Sequence, residues 1–187
     1  MPGQDRSAVK LTYQDYCRIP EDGQHHEILD GEHCVSPAPS TDHQSVLLRL
    51  GSQLYTQVES KGLGRVFIAP TDLHLSDVDI VQPDLMVILE SNLHIITPTK
   101  VKGIPDLVIE ILSPSTASHD REAKKERYRI AGVPEYWIVD PDEHVVEQYL
   151  LEGDAYRLAG LRDNEVSLAI LQDVRIDIPR LWSPTGR

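Results

Sequence analysis

The sequence predicts an α/β fold in which a central β-sheet is flanked by helices. Two nearly continuous apolar runs, at 81–90 and 105–113, are typical of strands that are covered on both faces. The segment 41–62 carries apolar residues at helical spacing, and a charged helix-forming segment at 117–132 separates two apolar strands. At 187 residues, with 40% hydrophobic and 26% charged residues, the chain can enclose such a core, and we expect one domain over 1–187.

The first two elements are indicated by their boundary residues. Thr12 and Asp15 have the spacing of a helix-capping pair, which predicts a short helix over 11–19 that ends before a proline. Asp30 is followed by glycine between two strand-like segments, and this pair predicts a β-hairpin over 25–35.

A longer helix and a strand-like region follow the hairpin. The helix is predicted over 41–62, with Ser40 or Thr41 as its N-cap and Gly62 at its end. Its apolar positions are Val46, Leu47, Leu50, Leu54 and Val58. From 65–76 onward the pattern favours strands.

The second half of the chain predicts a crossover connection. The helix at 117–132 ends at a glycine and is followed by an apolar strand at 134–141, so that it links this strand to the one at 105–113. Such a crossover connection is expected to be right-handed and to make the two strands parallel. A final hairpin is expected over 144–160, and 174–182 is expected to close the fold as a strand or edge segment.

The charge balance limits the classes of partner. The chain has 18 Lys and Arg residues, 30 Asp and Glu residues and a net charge of −12, which counts against tight, non-specific binding to DNA. A local basic surface or divalent ions would still admit a phosphodiester. The sequence contains no apolar run long enough to span a membrane and no secretory signal, so we expect a cytoplasmic protein without membrane contact.

Cysteine and histidine patterns do not predict a zinc or nucleophile site. Cys17 and Cys34 are not in a CxxC spacing and are expected to be reduced thiols. His25, His26 and His33 lie close in sequence, but the HExxH pattern of a zinc enzyme is absent.

Two carboxylates lie at the predicted central strands. Asp84 precedes one apolar run, and Glu110 lies within the next, where an ionised carboxylate is costly to bury unless it is paired. If the two strands are neighbours, both carboxylates can converge on one Mg²⁺. Alternatively, Asp84 only begins a strand and Glu110 faces solvent on an edge strand. Lys124 on the following helix favours the first interpretation, because a cation there can stabilise the charge of a phosphate in the transition state.

The same segments resemble a known family. The relevant segments are "QPDLMVILE", "PDLVIEILSPST", "DREAKKERY" and "GVPEYWIVDP", with "EILDGE" and "DHQ" in the N-terminal half. They resemble the PD-(D/E)xK restriction-endonuclease-like superfamily, in particular its large bacterial branch of uncharacterised endonucleases. The resemblance implies a mixed central sheet flanked by helices in three α/β/α layers, and a metal-dependent phosphodiesterase site.

By this resemblance Asp84 and Glu110 are the metal-binding acids, and the main-chain carbonyl of Ile111 adds a ligand. The simple superfamily pattern has a lysine two residues after the second acid, where this chain has Leu112. The branch supplies the lysine from the following helix, which assigns the role to Lys124.

Four further residues are candidates for the site. The resemblance implies Glu27 as an additional metal ligand and His43 as a residue that orients a water or a phosphate, although His43 could equally be a capping residue. Asp120 could support the site or simply begin its helix. Tyr128 lies one helical turn beyond Lys124, where its hydroxyl could hold the lysine or pack in the core.

These observations predict an endonuclease that uses Mg²⁺ or Mn²⁺ to hydrolyse phosphodiester bonds in nucleic acid, most readily DNA, as a homodimer. Two alternatives stay open. The fold could be a catalytically weak or inactive interaction or regulatory module, which the net charge of −12 favours. The same residues also suit an enzyme acting on a small phosphorylated substrate.

Overall fold

The computed structural model describes residues 9–113 and 120–182. The strands are β1 His25–Leu29, β2 Glu32–Ser36, β3 Gly64–Ile68, β4 Leu73–Ser76, β5 Asp79–Val81, β6 Leu85–Leu89, β7 Val101–Lys102, β8 Leu107–Ile111, β9 Glu135–Asp140, β10 Val145–Glu152, β11 Ala155–Arg162, β12 Glu165–Ser167 and β13 Arg175–Asp177. The α-helices are α1 Tyr13–Tyr16, α2 Thr41–Leu54, α3 Lys125–Ala131 and α4 Pro179–Trp182. Two π-helical turns, Tyr55–Glu59 and Asp120–Lys124, and a 3₁₀ helix, Glu90–Ile95, complete these elements.

A six-stranded mixed sheet forms the centre of the molecule. Its strand order is β11-β10-β9-β8-β6-β3, and β8 and β9 run parallel while the other neighbours are antiparallel. The predicted mixed sheet and the predicted parallel pair are therefore confirmed. A second sheet, ordered β2-β1-β5-β4-β7, and the small β12-β13 pair accompany it.

The central strands are buried on both faces, as their apolar runs predict. In β6, Leu85, Val87 and Leu89 point into one hydrophobic cluster and Met86 and Ile88 into the other. The first cluster includes the apolar side of α2 and the C-terminal segment. The second includes side chains from α3 and from the five-stranded sheet. Alternate side chains of a strand project to opposite faces, so this strand has no solvent-facing side.

The predicted N-terminal helix and hairpin are present. The main-chain N–H of Thr12 donates a 2.9 Å hydrogen bond to Oδ2 of Asp15 at the start of α1. In the hairpin, β1 and β2 pair around Asp30 and Gly31, whose φ angles are 50° and 81°. Two consecutive positive φ angles match the twist of the strands, which explains why an Asp-Gly pair occupies this turn.

The region 65–76, where the sequence pattern favours strands, forms two strands that belong to different sheets. β3 ends at Ile68 in the six-stranded sheet, and β4 begins at Leu73 in the five-stranded sheet. Pro70 lies between them and has no N–H to donate to a sheet, so the chain leaves one sheet there and enters the other.

Helix α2 begins as predicted but ends earlier than Gly62. Oγ of Ser40 accepts a 3.2 Å hydrogen bond from the main-chain N–H of His43, which identifies Ser40 as the N-cap. After Leu54 the chain continues as a π-helical turn, and Gly62 then adopts a φ of 71°.

The remaining predicted elements differ mainly in length. The crossover helix is described from Asp120 to Ala131 and ends at Gly132, whose φ is 88°, while 117–119 lie outside the described residues. The final hairpin is β10 and β11. The closing segment contains strand β13 followed by helix α4. Strand β13 pairs with β12, which the sequence analysis did not predict. No helix in the described ranges is long and apolar enough to cross a bilayer.

Candidate active site

The two strand carboxylates lie on neighbouring strands. In the antiparallel pair of β6 and β8, Leu85 is opposite Ile109. Asp84 immediately precedes β6 and therefore lies across from Glu110. The main-chain N–H of Asp84 is 3.4 Å from Oε2 of Glu110, to which it donates. The neighbouring strands thus bring the two acids together where β6 begins and β8 ends.

Glu110 is buried within the central sheet. Its residue is 1% exposed, and its strand has a neighbour on each side, so the interpretation of a solvent-facing edge residue is wrong. The hydroxyl of Tyr128 donates a 2.6 Å hydrogen bond to Oε1 of Glu110, and Nζ of Lys124 lies 3.2 Å from the same oxygen. A hydrogen-bond donor and a cation together offset the cost of burying this carboxylate.

Lys124 also contacts an acid from the N-terminal hairpin. Its Nζ lies 3.0 Å from Oε1 of Glu27, and both side chains are almost completely buried. The main-chain N–H of Gln82 donates a 2.7 Å hydrogen bond to the same Glu27 oxygen. The ammonium of Lys124 is therefore shared between two carboxylates from different sheets. Lys125 points elsewhere, with its Nζ 3.5 Å from the ring centroid of Tyr149.

Asp84 is oriented by the main chain and by His43. Its Oδ2 accepts a 2.8 Å hydrogen bond from the main-chain N–H of Ile111 and lies 3.1 Å from Nε2 of His43. His43 is in the first turn of α2 and is 7% exposed, whereas the side chain of Asp84 is 17% exposed. Asp84 is thus the most accessible of the three site carboxylates.

Tyr128 acts as a hydrogen-bond donor because it stays protonated. Its side chain is completely buried, and burial raises the pKa of its phenol well above the ordinary value. The negative charges of Glu110 and Glu27 raise this pKa further. The side chain therefore packs in the core, which is one of the two roles considered for it, and its hydroxyl donates to Glu110, a partner that the sequence analysis did not anticipate.

A cavity of about 570 Å³ opens over these groups. Its polar floor is formed by Glu27, His43, Asp84, Glu110, Ile111 and Lys124. Asp120 is the first residue of the π-helical turn that ends at Lys124, and its side chain lies outside the described part of the structure. Apart from Asp120, the candidate residues either border the cavity or, like Tyr128, contact a residue that does.

Two polar residues of this site were missed by the sequence analysis. The side chain of Gln82 donates a 2.9 Å hydrogen bond from Nε2 to Asp72, which leaves its Oε1 to accept from Nδ1 of His25 at 3.1 Å. Both Gln82 and His25 border the cavity. The sequence signal for Gln82 was its position two residues before Asp84. Its contact with Glu27 could not be predicted, because 55 residues of sequence separate the two.

The hairpin histidines do not converge on one point. His26 lies 3.0 Å from His33 and 2.8 Å from Asp22 through its ring nitrogens, whereas His25 faces Gln82. Cys17 and Cys34 are free thiols. Within residues 9–113 and 120–182, no group of three or more His, Cys, Asp or Glu side chains is arranged to enclose a metal ion.

Comparison with known proteins identifies the family. The model of the Uma2 family, described as "Putative restriction endonuclease", matches residues 13–179. The chain belongs to the Uma2 family. The match includes every candidate residue named above, from Glu27 to Tyr128.

Two related proteins accompany the family match. The fold of this Uma2 protein is similar to the crystal structure of a "putative nuclease belonging to DUF820" from Anabaena variabilis, with a TM-score of 0.76 and 20% sequence identity over 92% of this chain and 97% of that one. An uncharacterized protein of Synechocystis sp. is 26% identical over 147 residues, which cover 77% of this chain and 82% of the relative. The restriction-endonuclease-like fold is therefore confirmed.

Proposed function

We propose that this Uma2 protein is an endonuclease that requires Mg²⁺ or Mn²⁺ and hydrolyses phosphodiester bonds in DNA as a homodimer. The observation that carries the proposal is the position of Lys124, whose Nζ lies 3.2 Å from Glu110 across from Asp84 at the floor of an open cavity. Two acids on adjacent strands and one lysine beside them supply the groups that phosphodiester hydrolysis needs.

The donor set suits a hard divalent cation. Asp84, Glu110 and the Ile111 carbonyl offer oxygen ligands, which Mg²⁺ and Mn²⁺ prefer to nitrogen or sulfur. Mg²⁺ keeps several waters and is commonly held by one or two carboxylates, so the site does not need a closed group of three acids. Glu27 reaches the same floor but shares Lys124 with Glu110. We assign it the supporting ligand position.

Each residue then has a distinct role. A bound Mg²⁺ supplies Lewis-acid stabilisation of the negative charge on the phosphoryl oxygens. Asp84 and Glu110 hold the ion, and His43 and Tyr128 orient these two carboxylates. A water forms a bond to phosphorus and loses a proton to solvent, while the bond to the leaving oxygen breaks and that oxygen takes up a proton from solvent. Lys124 stabilises the added negative charge of that transition state.

A second candidate function is an inactive interaction module with the same fold. The observation in its favour is that Lys124 already neutralises part of the charge of Glu27 and Glu110. A protein that binds neither divalent metal nor DNA, but forms a stable oligomer, would fit this alternative.

The deciding experiment compares metal binding and cleavage in matched variants. Mn²⁺ is titrated by calorimetry into the wild type, Glu110→Gln and Glu147→Gln, and each protein is then incubated with supercoiled plasmid and with circular single-stranded DNA. Glu147 is a largely buried carboxylate paired with Arg121 outside the cavity, so it provides the control. We expect binding and cleavage to be lost together in Glu110→Gln alone. A wild type that shows neither would contradict the nuclease proposal.

A further inference from the structure

The basic side chains around the fold are largely neutralised by acids. The described pairs are Lys10 with Asp30, Arg18 with Asp15, Arg65 with Glu59, Arg121 with Asp140 and Glu147, Arg127 with Asp79, Arg129 with Glu126, Arg157 with Glu152, Arg175 with Glu165, and Arg180 with Asp177. These pairs are distributed over several elements and do not form a continuous basic face.

A phosphate that broke such a pair would gain little. The arginine or lysine would turn to the phosphate, but its former carboxylate partner would remain close by and repel the same phosphate. Extended duplex binding requires many phosphate contacts without this opposing charge. The paired cations are therefore poor anchors for a long duplex.

The basic side chains that form no ion pair with an acid among the described residues do not border the cavity. They are Arg49, Lys61, Lys100, Lys102, Lys125 and Arg162, and none of them borders it. Lys125 covers the ring of Tyr149, and Lys100 donates to the hydroxyl of Tyr13. Lys124 is thus the basic residue that the described structure places at the cavity floor.

The cavity itself has the size of a small-molecule site. Its volume of about 570 Å³ falls within the range of roughly 300–1,000 Å³ that is usual for sites of small ligands. Besides polar side chains, its lining includes small apolar residues, namely Pro37, Ala38 and Pro39 in the connection to α2, and Ala69 and Pro70 after β3. A cavity of this size and mixed lining has room for one nucleotide and not for the width of a duplex.

We infer that the site takes a single nucleic acid strand and contacts it at one or two phosphates, instead of gripping a duplex along its backbone. This inference rests on the proposed nuclease function and specifies its substrate class. Duplex regions would be accepted where they open, for example at frayed ends or in supercoiled DNA.

Salt dependence measures the number of phosphate contacts. Asp84→Asn removes one of the two carboxylates assigned to the metal ion, so that cleavage is prevented, and keeps a side chain of the same size. In the presence of Mg²⁺, its affinity is measured by fluorescence anisotropy for a labelled ten-nucleotide single strand and for the same strand in a duplex, between roughly 50 and 200 mM salt. We expect tighter binding of the single strand, and a slope of log K against log salt of about −0.7 to −1.4, since each contact on a single strand contributes about −0.7.

Two surface variants provide the control in the same background. Lys102→Ala and Lys125→Ala remove cations that lie outside the cavity, and we expect the affinity for the single strand to change less than twofold in each. A duplex preference, a slope steeper than about −4, or a large loss of affinity in either variant would show extended backbone binding and overturn the inference. Failure to bind both DNA forms would also overturn it.

Cleavage by the wild type separates this inference from the proposed function. Metal-dependent cleavage of relaxed duplex as fast as single-stranded DNA would leave the nuclease proposal intact and contradict the strand preference. Loss of all cleavage with every DNA form would contradict the nuclease proposal, while the anisotropy of Asp84→Asn would still report which form binds.

Discussion

The hydroxyl of Tyr128 donates a 2.6 Å hydrogen bond to Oε1 of Glu110. This contact joins α3 to β8, and the same oxygen lies 3.2 Å from Nζ of Lys124. Tyr128 and Lys124 are one helical turn apart, so a single face of the helix supplies both groups. The orientation of the central carboxylate therefore depends on how this helix packs against the sheet.

Removal of the Tyr128 hydroxyl should weaken both the fold and the site. Tyr128→Phe leaves a buried carboxylate oxygen without its neutral donor, and we expect a loss of about 1–3 kcal/mol in the free energy of unfolding. Urea denaturation measures this change, and calorimetry with Mn²⁺ should show weaker binding.

Tyr149→Phe is the matched control for that change. Tyr149 donates a hydrogen bond of the same 2.6 Å length to Glu147, but it is only partly buried. Loss of the Tyr149 hydroxyl should lower the free energy of unfolding by less than loss of the Tyr128 hydroxyl, and it should leave the Mn²⁺ affinity unchanged. Equal effects of the two substitutions would argue against a special role for Tyr128.

Substitutions at the neighbouring lysines should have different consequences. Lys124→Met removes the cation between two buried carboxylates, and we expect a loss of about 3–5 kcal/mol in the free energy of unfolding, together with loss of cleavage. Mg²⁺ should then raise the melting temperature of this variant more than that of the wild type, because the ion replaces the missing positive charge. Thermal denaturation with and without Mg²⁺ measures both effects.

Lys125→Met is the control that tests whether these effects are specific to the lysine at position 124. Lys125 contacts the ring of Tyr149, a contact worth about 0.5–1 kcal/mol when exposed. We expect a small loss of stability, normal cleavage and the wild-type response to Mg²⁺. The assignment of Lys124 would be wrong if both variants lost cleavage equally.

His43 should influence metal binding through Asp84. His43→Ala removes the imidazole that lies 3.1 Å from Oδ2 of Asp84, and the loss of such supporting contacts typically lowers metal affinity about 10–100-fold. Mn²⁺ calorimetry measures this change. His26→Ala, in the hairpin cluster with His33, should leave the affinity unchanged. Unchanged affinity in His43→Ala would limit His43 to a structural role at the start of α2.

The ion pair between buried Asp79 and partly exposed Arg127 predicts a loss of stability in acid. Burial by itself raises the pKa of Asp79, but hydrogen bonds from Arg127, the Asp30 main chain and Ser76 outweigh it, so that the pKa lies below its ordinary value of 3.8. The native state thus binds fewer protons than the unfolded state, and the stabilisation is fully present above about pH 4. It is lost as the pH falls through the lowered pKa of the folded state.

Asp79→Asn should therefore be much less stable than the wild type at pH 7, and this difference should shrink below about pH 4. Urea denaturation over this pH range measures it. Asp30→Asn is the control, since Asp30 pairs with the same arginine at 3.1 Å but its side chain is 51% exposed. If the stability difference between the wild type and Asp79→Asn did not depend on pH, the carboxylate of Asp79 would not be the group whose titration lowers stability in acid.

Local patterns in the sequence predicted most of the elements. The Asp30-Gly31 pair predicted the first hairpin because only a few residues tolerate the positive φ angles of its turn. The apolar run at 81–90 predicted a strand buried on both faces, which the structure forms as β6, and Asp84 and Glu110 were recognised because carboxylates are rare in such surroundings. Lys124 was recognised as a cation on the helix that follows the second acid, and the resemblance added Glu27 and His43 as candidates. Their catalytic roles stay predictions, which the variants above test.

Contacts between distant segments were decided only by tertiary structure. Gln82 holds Glu27 from 55 residues away, and Lys124 bridges Glu27 and Glu110, because the two sheets and α3 pack around one cavity. Hydrophobic periodicity reports which face of an element is buried, but not which partner covers that face. Helix, strand and turn were therefore encoded locally, whereas the partners of the buried charges depended on the assembly of the whole core.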